Sequence, residues 1–320
     1  MLALQPFTVS VSDAQIKSLR DQLALASVAP RTYASLARSA AEVTSTVKDE
    51  SRGTYGVSGD WIESTSAYWQ DGFDWSEQEE RINSFKQFTA EVPSGAGSTM
   101  RVHFVYERSR HADACPLLLM HGWPGSFLEF LPLAALLRDT QHFHLIIPSL
   151  PGYLYSDAPA LDESGANFGF EKLADVMHNL MTGLGHGEGY VCQGGDIGSF
   201  LARLLAVRQP QAVQAVHLNM CPTGPPKSHL HAMLPNFTHS SLLGRLLGFV
   251  AGFLTPLISL LLGPPATFLA TKTELRELPR FAEFGKTGSA YGQVHATRPA
   301  TIAEAVCSSP RALLAWVGEK

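Results

Sequence analysis

Gln193-Gly194-Gly195-Asp196-Ile197-Gly198-Ser199 follows the apolar run Tyr190-Val191-Cys192 and precedes a helical pattern over residues 198–208. Small residues at 194 and 198 around a central acidic residue have the form of a nucleophile elbow, a turn from strand into helix. That turn is so tight that its central residue is strained and its neighbours must lack bulk. A serine usually stands at the centre; this chain has an aspartate. A carboxylate there can attack an electrophilic carbon, opening an epoxide or displacing a halide, and form an alkyl-enzyme ester. The residues alone leave a second reading open, in which Asp196 caps a helix inside a glycine turn.

Outward from the elbow, strands and helices alternate. Residues 102–106 alternate apolar and polar, and short apolar runs occupy 116–120, 143–147 and 212–218. Helical patterns intervene at 127–138, 171–184 and 198–208. Such alternation implies a mostly parallel sheet with helices on both faces, whose ligand sites lie at the carboxyl ends of strands. Toward the N-terminus, residues 7–11 read as extended. A helix follows, with Asp13 as its expected cap and Ile16, Leu19 and Leu23 on one face. Residues 38–60 read as a solvated loop, aromatics gather between Trp61 and Phe88, and 94–98 reads as a flexible joint or hairpin turn.

A second motif favours the catalytic reading of Asp196. The run Leu117–Met120 leads into His121-Gly122-Trp123-Pro124-Gly125-Ser126. In α/β-hydrolases the loop after this strand gives one oxyanion-hole N–H, and the residue after the nucleophile gives the other. The backbone N–H groups of Trp123 and Ile197 are the candidates. His121, Gly122, Pro124, Gly194, Gly195 and Gly198 are expected to shape these loops, His121 by fixing its loop and not as a base.

HGWPGSFLEF (121–130), SLPGYLYSDAP (149–159) and QGGDIGS (193–199) occur in that order, after a YW–FDW–RINSFKQF pattern between Tyr68 and Phe88. Together they resemble epoxide hydrolases of the microsomal type, fungal members included, from about residue 5 to the end of the chain. Ser76 departs from the pattern, where an arginine is expected after Trp75, and so does the long polar loop at 38–60. The resemblance implies an α/β-hydrolase fold with a helical cap and an N-terminal meander, divided as 5–95, 96–220 and a cap region at 221–320. It also implies two chemical steps. Asp196 attacks an epoxide carbon while a cap tyrosine, mapping to Tyr291 within SAYGQVHATRP (289–299), protonates the opening oxygen. A histidine paired with an acid then activates water, which hydrolyses the ester to a vicinal diol. No metal or organic cofactor is called for, the substrate is a small lipophilic epoxide, and the setting is detoxification or secondary metabolism.

The triad order in this fold is nucleophile, acid, histidine. After Asp196 the sequence has no aspartate, and its glutamates (Glu274, Glu277, Glu283, Glu304, Glu319) follow no strand-like run. His217, His229, His231, His239 and His295 do not occupy a loop after a final strand. The expectation is therefore a chain truncated before its acid and base and missing its final strands, with impaired turnover. The alternative is a non-catalytic hydrolase-fold paralogue that binds apolar ligands. A haloalkane dehalogenase shares the aspartate nucleophile, but the N-terminal aromatic segment argues against one.

Composition bounds the rest. Hydrophobic residues make up 45% and charged residues 17% of the 320, against roughly 25% charged in ordinary chains. A net charge of −5 offers nothing to hold a polyanion, which argues against nucleic acid. Cys115, Cys192, Cys221 and Cys307 lie far apart and read as reduced thiols. With no basic leader at the start, a cytoplasmic location is the default. Residues 246–270 carry no charge, but Pro256 interrupts them. A cap insertion making peripheral membrane contact is favoured there over a membrane span. A homodimer is left open.

Overall fold

Period-two alternation builds the sheet, because successive side chains of a strand face opposite sides. Along Ser98–Glu107 (β3), Val102, Phe104 and Tyr106 enter one core cluster while Val105 enters another. Along Cys115–Met120 (β4), Leu118 and Met120 join the first cluster, and Leu117 and Leu119 the second. Along Phe143–Pro148 (β5), Ile146 and the pair Leu145 and Ile147 divide in the same way. Each such buried aliphatic side chain stabilises the fold by roughly 1.5–3 kcal/mol.

In the computed structural model, residues 1–32, 56–95, 97–159, 168–221, 276, 279–280 and 284–319 are described. The remaining strands are Gln5–Phe7 (β1), Gln87–Gly95 (β2), Tyr190–Gly194 (β6) and Val213–Leu218 (β7), and the spatial order is β1-β2-β3-β5-β4-β6-β7. The first four neighbours pair antiparallel. The stretch β5-β4-β6-β7 is parallel. One face is covered by Phe170–Gly183 (α5) and Ile197–Arg208 (α6), through residues such as Met177, Leu180, Leu201 and Leu205. The other is covered by Phe127, Phe130, Leu131 and Ala134, together with Val9, Ile82 and Phe85 from the N-terminal region.

The helices Asp13–Leu25 (α1), Gly59–Ala67 (α2), Trp75–Asn83 (α3) and Leu131–Thr140 (α4) complete the wrapping. Two local expectations are corrected. Ser12, not Asp13, caps α1: its hydroxyl accepts from the Gln15 N–H, and the Gln15 side chain returns to the Ser12 N–H. Asp13 is instead the first helical residue, where its charge suits the positive end of the helix dipole. The helix expected from Phe127 begins as a 3-10 turn, Phe127–Phe130, and becomes α-helical only at Leu131, with Pro132 in its first turn.

Met1–Cys221 and Val306–Lys320 form one unit, and Pro222–Ala305 a second. The helix Pro310–Gly318 (α9), which the sequence reading put in the 221–320 region, packs on α1 and α2 in the first unit. In the second, Phe284–Gly288 makes a π-helical turn before Ala290–Thr297 (α7), and Pro299–Cys307 (α8) runs across the division. No described helix is long and apolar enough to cross a membrane. The apolar run at 246–270 lies outside the described residues. All four cysteines are free thiols.

Candidate active site

Parallel pairing of β4 with β6 sets Met120 opposite Gly194, so the loops leaving their carboxyl ends start as neighbours. After Gly194 and Gly195 the chain turns at Asp196, whose φ of 49° and ψ of −122° lie where a residue with a β-carbon is strained. Close packing holds it there. A β-carbon on Gly198 would overlap the Met120 carbonyl, so only glycine lets α6 start this near the end of β4. The Ser199 N–H and hydroxyl both donate to the Asp196 carbonyl, at 3.0 and 2.7 Å.

The Asp196 carboxylate does not cap α6. It turns to the other loop, where Oδ1 accepts the Trp123 N–H at 2.9 Å. The second oxygen has no hydrogen-bond donor among the described residues. A side chain on Gly122 would collide with this carboxyl group, which explains the glycine between His121 and Trp123. The Trp123–Pro124 peptide is cis. Ile197 opens α6, and the first N–H groups of a helix have no partner within it.

His121 is fully buried beneath this loop. Its Nε2 accepts the Leu150 N–H at 3.1 Å, which leaves the proton on Nδ1, facing the Gly122 carbonyl at 3.2 Å. Burial lowers its pKa to about 4, partly offset by the bond to Gly122. Tyr153, from the 149–159 motif, sets its ring edge-on to His121 at 4.8 Å between centroids. Its pKa is pushed up to about 12, by burial first and then by the Asp196 charge. Glu129, on the Phe127–Phe130 turn, is likewise raised above the usual carboxylate range by burial and by Asp196.

Sequence reasoning passed over Glu129 and Tyr153 although both stand inside quoted motifs. Their approach to Asp196 depends on how two loops fold back over the sheet, which no spacing announces. Tyr291, half-buried on α7 in the second unit, packs its ring edge-on against His295 at 5.8 Å.

The sheet is mixed, parallel only from β5 to β7 where a mostly parallel one was expected, and a doubly covered sheet of this kind with a strand-to-helix elbow after β6 has the architecture of an α/β-hydrolase. Residues 4–130 match the epoxide hydrolase N-terminus family, and residues 116–305 match the α/β hydrolase fold family. The solved structure of Aspergillus niger epoxide hydrolase is similar to this chain with a TM-score of 0.76 and 37% identity, covering 99% of this chain and 69% of that one. Epoxide hydrolase 1 of Sus scrofa is 29% identical over 331 residues, 99% of this chain and 62% of that protein. A relative from Dothistroma septosporum is 32% identical over 323 residues, 98% of this chain and 64% of the relative's length. The chain belongs to the epoxide hydrolases of the α/β-hydrolase fold. It spans slightly under two thirds of the length of these last two relatives.

Proposed function

We propose that this chain attacks lipophilic epoxides through Asp196, as the first half of epoxide hydration to a vicinal diol. The observation that carries the reading is the division of labour within one carboxylate. Oδ1 is held by the Trp123 N–H at 2.9 Å, and the other oxygen is left without a donor among the described residues. The undonated oxygen is the better nucleophile, because a hydrogen bond withdraws charge from the one that accepts it. After attack, Oδ1 becomes the ester carbonyl oxygen and already faces the N–H that would stabilise an oxyanion there; Ile197 supplies the second N–H. His121, Gly122, Pro124, Gly194, Gly195 and Gly198 shape this arrangement without taking part in the chemistry. Tyr291 is the residue we assign to protonating the epoxide oxygen, since a phenol stays protonated at neutral pH. The base that activates water for ester hydrolysis is left unassigned.

The test is intact-mass measurement of the purified chain incubated with a reactive aryl epoxide, with diol quantified in the same sample. One covalent equivalent on the chain, or diol formation, with both absent in Asp196→Ala, is the expected result. Neither adduct nor diol from folded protein would overturn the reading. Tyr291→Phe is expected to slow alkylation by about 10²-fold or more, the range over which a positioned acid acts.

A further inference from the structure

Glu129 is an exposed residue of the loop that faces the nucleophile, and no role has been given to it. Ser126 fixes the start of its turn: the Ser126 hydroxyl accepts the Leu128 N–H at 3.3 Å, and the Ser126 carbonyl accepts the Glu129 N–H at 3.1 Å. Phe127 and Phe130 are buried in the core on either side, which pins the turn and sends Glu129 back over the loop. There its carboxylate lies on the bare face of Gly125, where any β-carbon would collide with it and would stand 3.3 Å from the Gly122 carbonyl. The Asp196 carboxyl lies on Gly122 in the same manner. Two carboxyl groups therefore cover the two glycines of one short loop, and the Trp123 N–H between those glycines belongs to Asp196.

Glu129 has no hydrogen-bond or ion-pair partner for its carboxyl group among the described residues. The residue is exposed, yet partial burial of its carboxyl group and then the nearby Asp196 charge both raise its pKa. Nothing in the packing of the turn needs it, since Phe127 and Phe130 already anchor the turn. What such a group can do beside a nucleophilic carboxylate is hold a water molecule by hydrogen bonds.

We propose that Glu129 is a positioning residue that holds the water destined for the ester carbon of alkylated Asp196. The proposal rests on the assignment of Asp196 as nucleophile. In this role Glu129 touches neither the epoxide nor the bond that Asp196 forms. It serves the second half-reaction, orienting water toward Cγ of the ester while the base takes the proton. Its removal should therefore spare ester formation and slow ester breakdown.

The experiment follows the Asp196 adduct of the aryl epoxide by intact mass in two phases, formation and decay after excess epoxide is removed. The unmodified chain, Glu129→Gln and Glu129→Asp are compared, with thermal melting of each. Glu129→Gln keeps the shape of the side chain but loses the strong acceptor. It is expected to form adduct within twofold of the unmodified rate and to lose it at least tenfold more slowly, while Glu129→Asp recovers part of the decay rate. Equal decay rates would overturn the role of Glu129 and leave Asp196 standing, as would an effect on formation alone. A variant that melts much earlier and fails in both phases would also overturn the role, showing Glu129 to be structural. Absence of any adduct on the unmodified chain would remove the Asp196 assignment and this role with it.

Discussion

At the scale of single residues, the two groups most easily taken for catalytic bases are already occupied. His121 accepts from Leu150 through one nitrogen and faces the Gly122 carbonyl with the other. With its pKa lowered to about 4, it has no free position for a proton taken from water at neutral pH. His103 is similarly enclosed. Gln87 donates its amide to the Ile82 carbonyl and to Asn83, so its oxygen accepts the His103 Nε2 proton at 3.1 Å, and Ser149 donates to Nδ1 at 2.9 Å. Substituting His121→Phe keeps the ring volume but leaves the buried Leu150 N–H without an acceptor. The expected cost is about 1–3 kcal/mol, read from urea unfolding midpoints. An unchanged midpoint would show that His121 does not hold the loop. The placing of His121 was legible from its position at the head of a strand-end loop. The tautomer was not, because it depends on Leu150, which lies 29 residues away.

At the scale of elements, the elbow works because α6 starts almost in contact with β4. Gly198→Ala would drive a β-carbon into the Met120 carbonyl and force the helix outward. A loss of about 2–3 kcal/mol is expected from overpacking, together with loss of Asp196 alkylation as the carboxylate leaves the Trp123 N–H. Gly292→Ala makes a useful control: it sits on α7 with nothing within 4 Å of an added β-carbon. It should be neutral or stabilising by about 0.5–1 kcal/mol. Thermal melting and intact mass together distinguish these outcomes, and a Gly198→Ala protein that melts and alkylates normally would refute the packing argument. The sequence marked β3 to β7 within a few residues, since β3 to β6 carry dense runs of buried apolar residues and β7, though mostly exposed, keeps an apolar-rich pattern. It did not mark β2 or assign β1 correctly. β1 covers only residues 5–7, none fully buried, and exists through backbone pairing to β2. Pairing of that kind leaves little trace in side-chain pattern. The cap of α1 was misplaced by one residue because Ser12 and Asp13 are equally good capping types. The reciprocal bond from Gln15 decided between them.

At the scale of the whole first unit, its acid stability is governed by histidines folded in their neutral form. His103 lies among Phe7, Phe127 and Tyr155 on one face of the sheet, with a pKa lowered to about 3 by burial. His121 lies at the carboxyl ends of the strands, at about 4. His186, bonded to the Tyr106 hydroxyl at 2.8 Å and stacked on His144, is also lowered to about 4, by burial first and then by the His144 and Arg108 charges. In the unfolded chain each takes up a proton as pH falls through about 6.5. In the folded unit each refuses it until pH 4 or 3, so over that window the unfolded state binds more protons and acid favours it. Stability is then complete above pH 6.5 and is lost progressively below it. For the fully enclosed His103 the loss reaches on the order of 3–5 kcal/mol by pH 3. His103→Gln, which keeps a donor and an acceptor but cannot titrate, should be less stable at pH 7.5. It should also show a slope of stability against pH between 6 and 4 that is shallower by about 1.4 kcal/mol per pH unit, the contribution of one proton. Urea unfolding at four pH values across that range measures the slope. If His103→Gln and the unmodified chain give parallel lines, His103 is not held neutral in the fold, and the acid lability belongs to other groups.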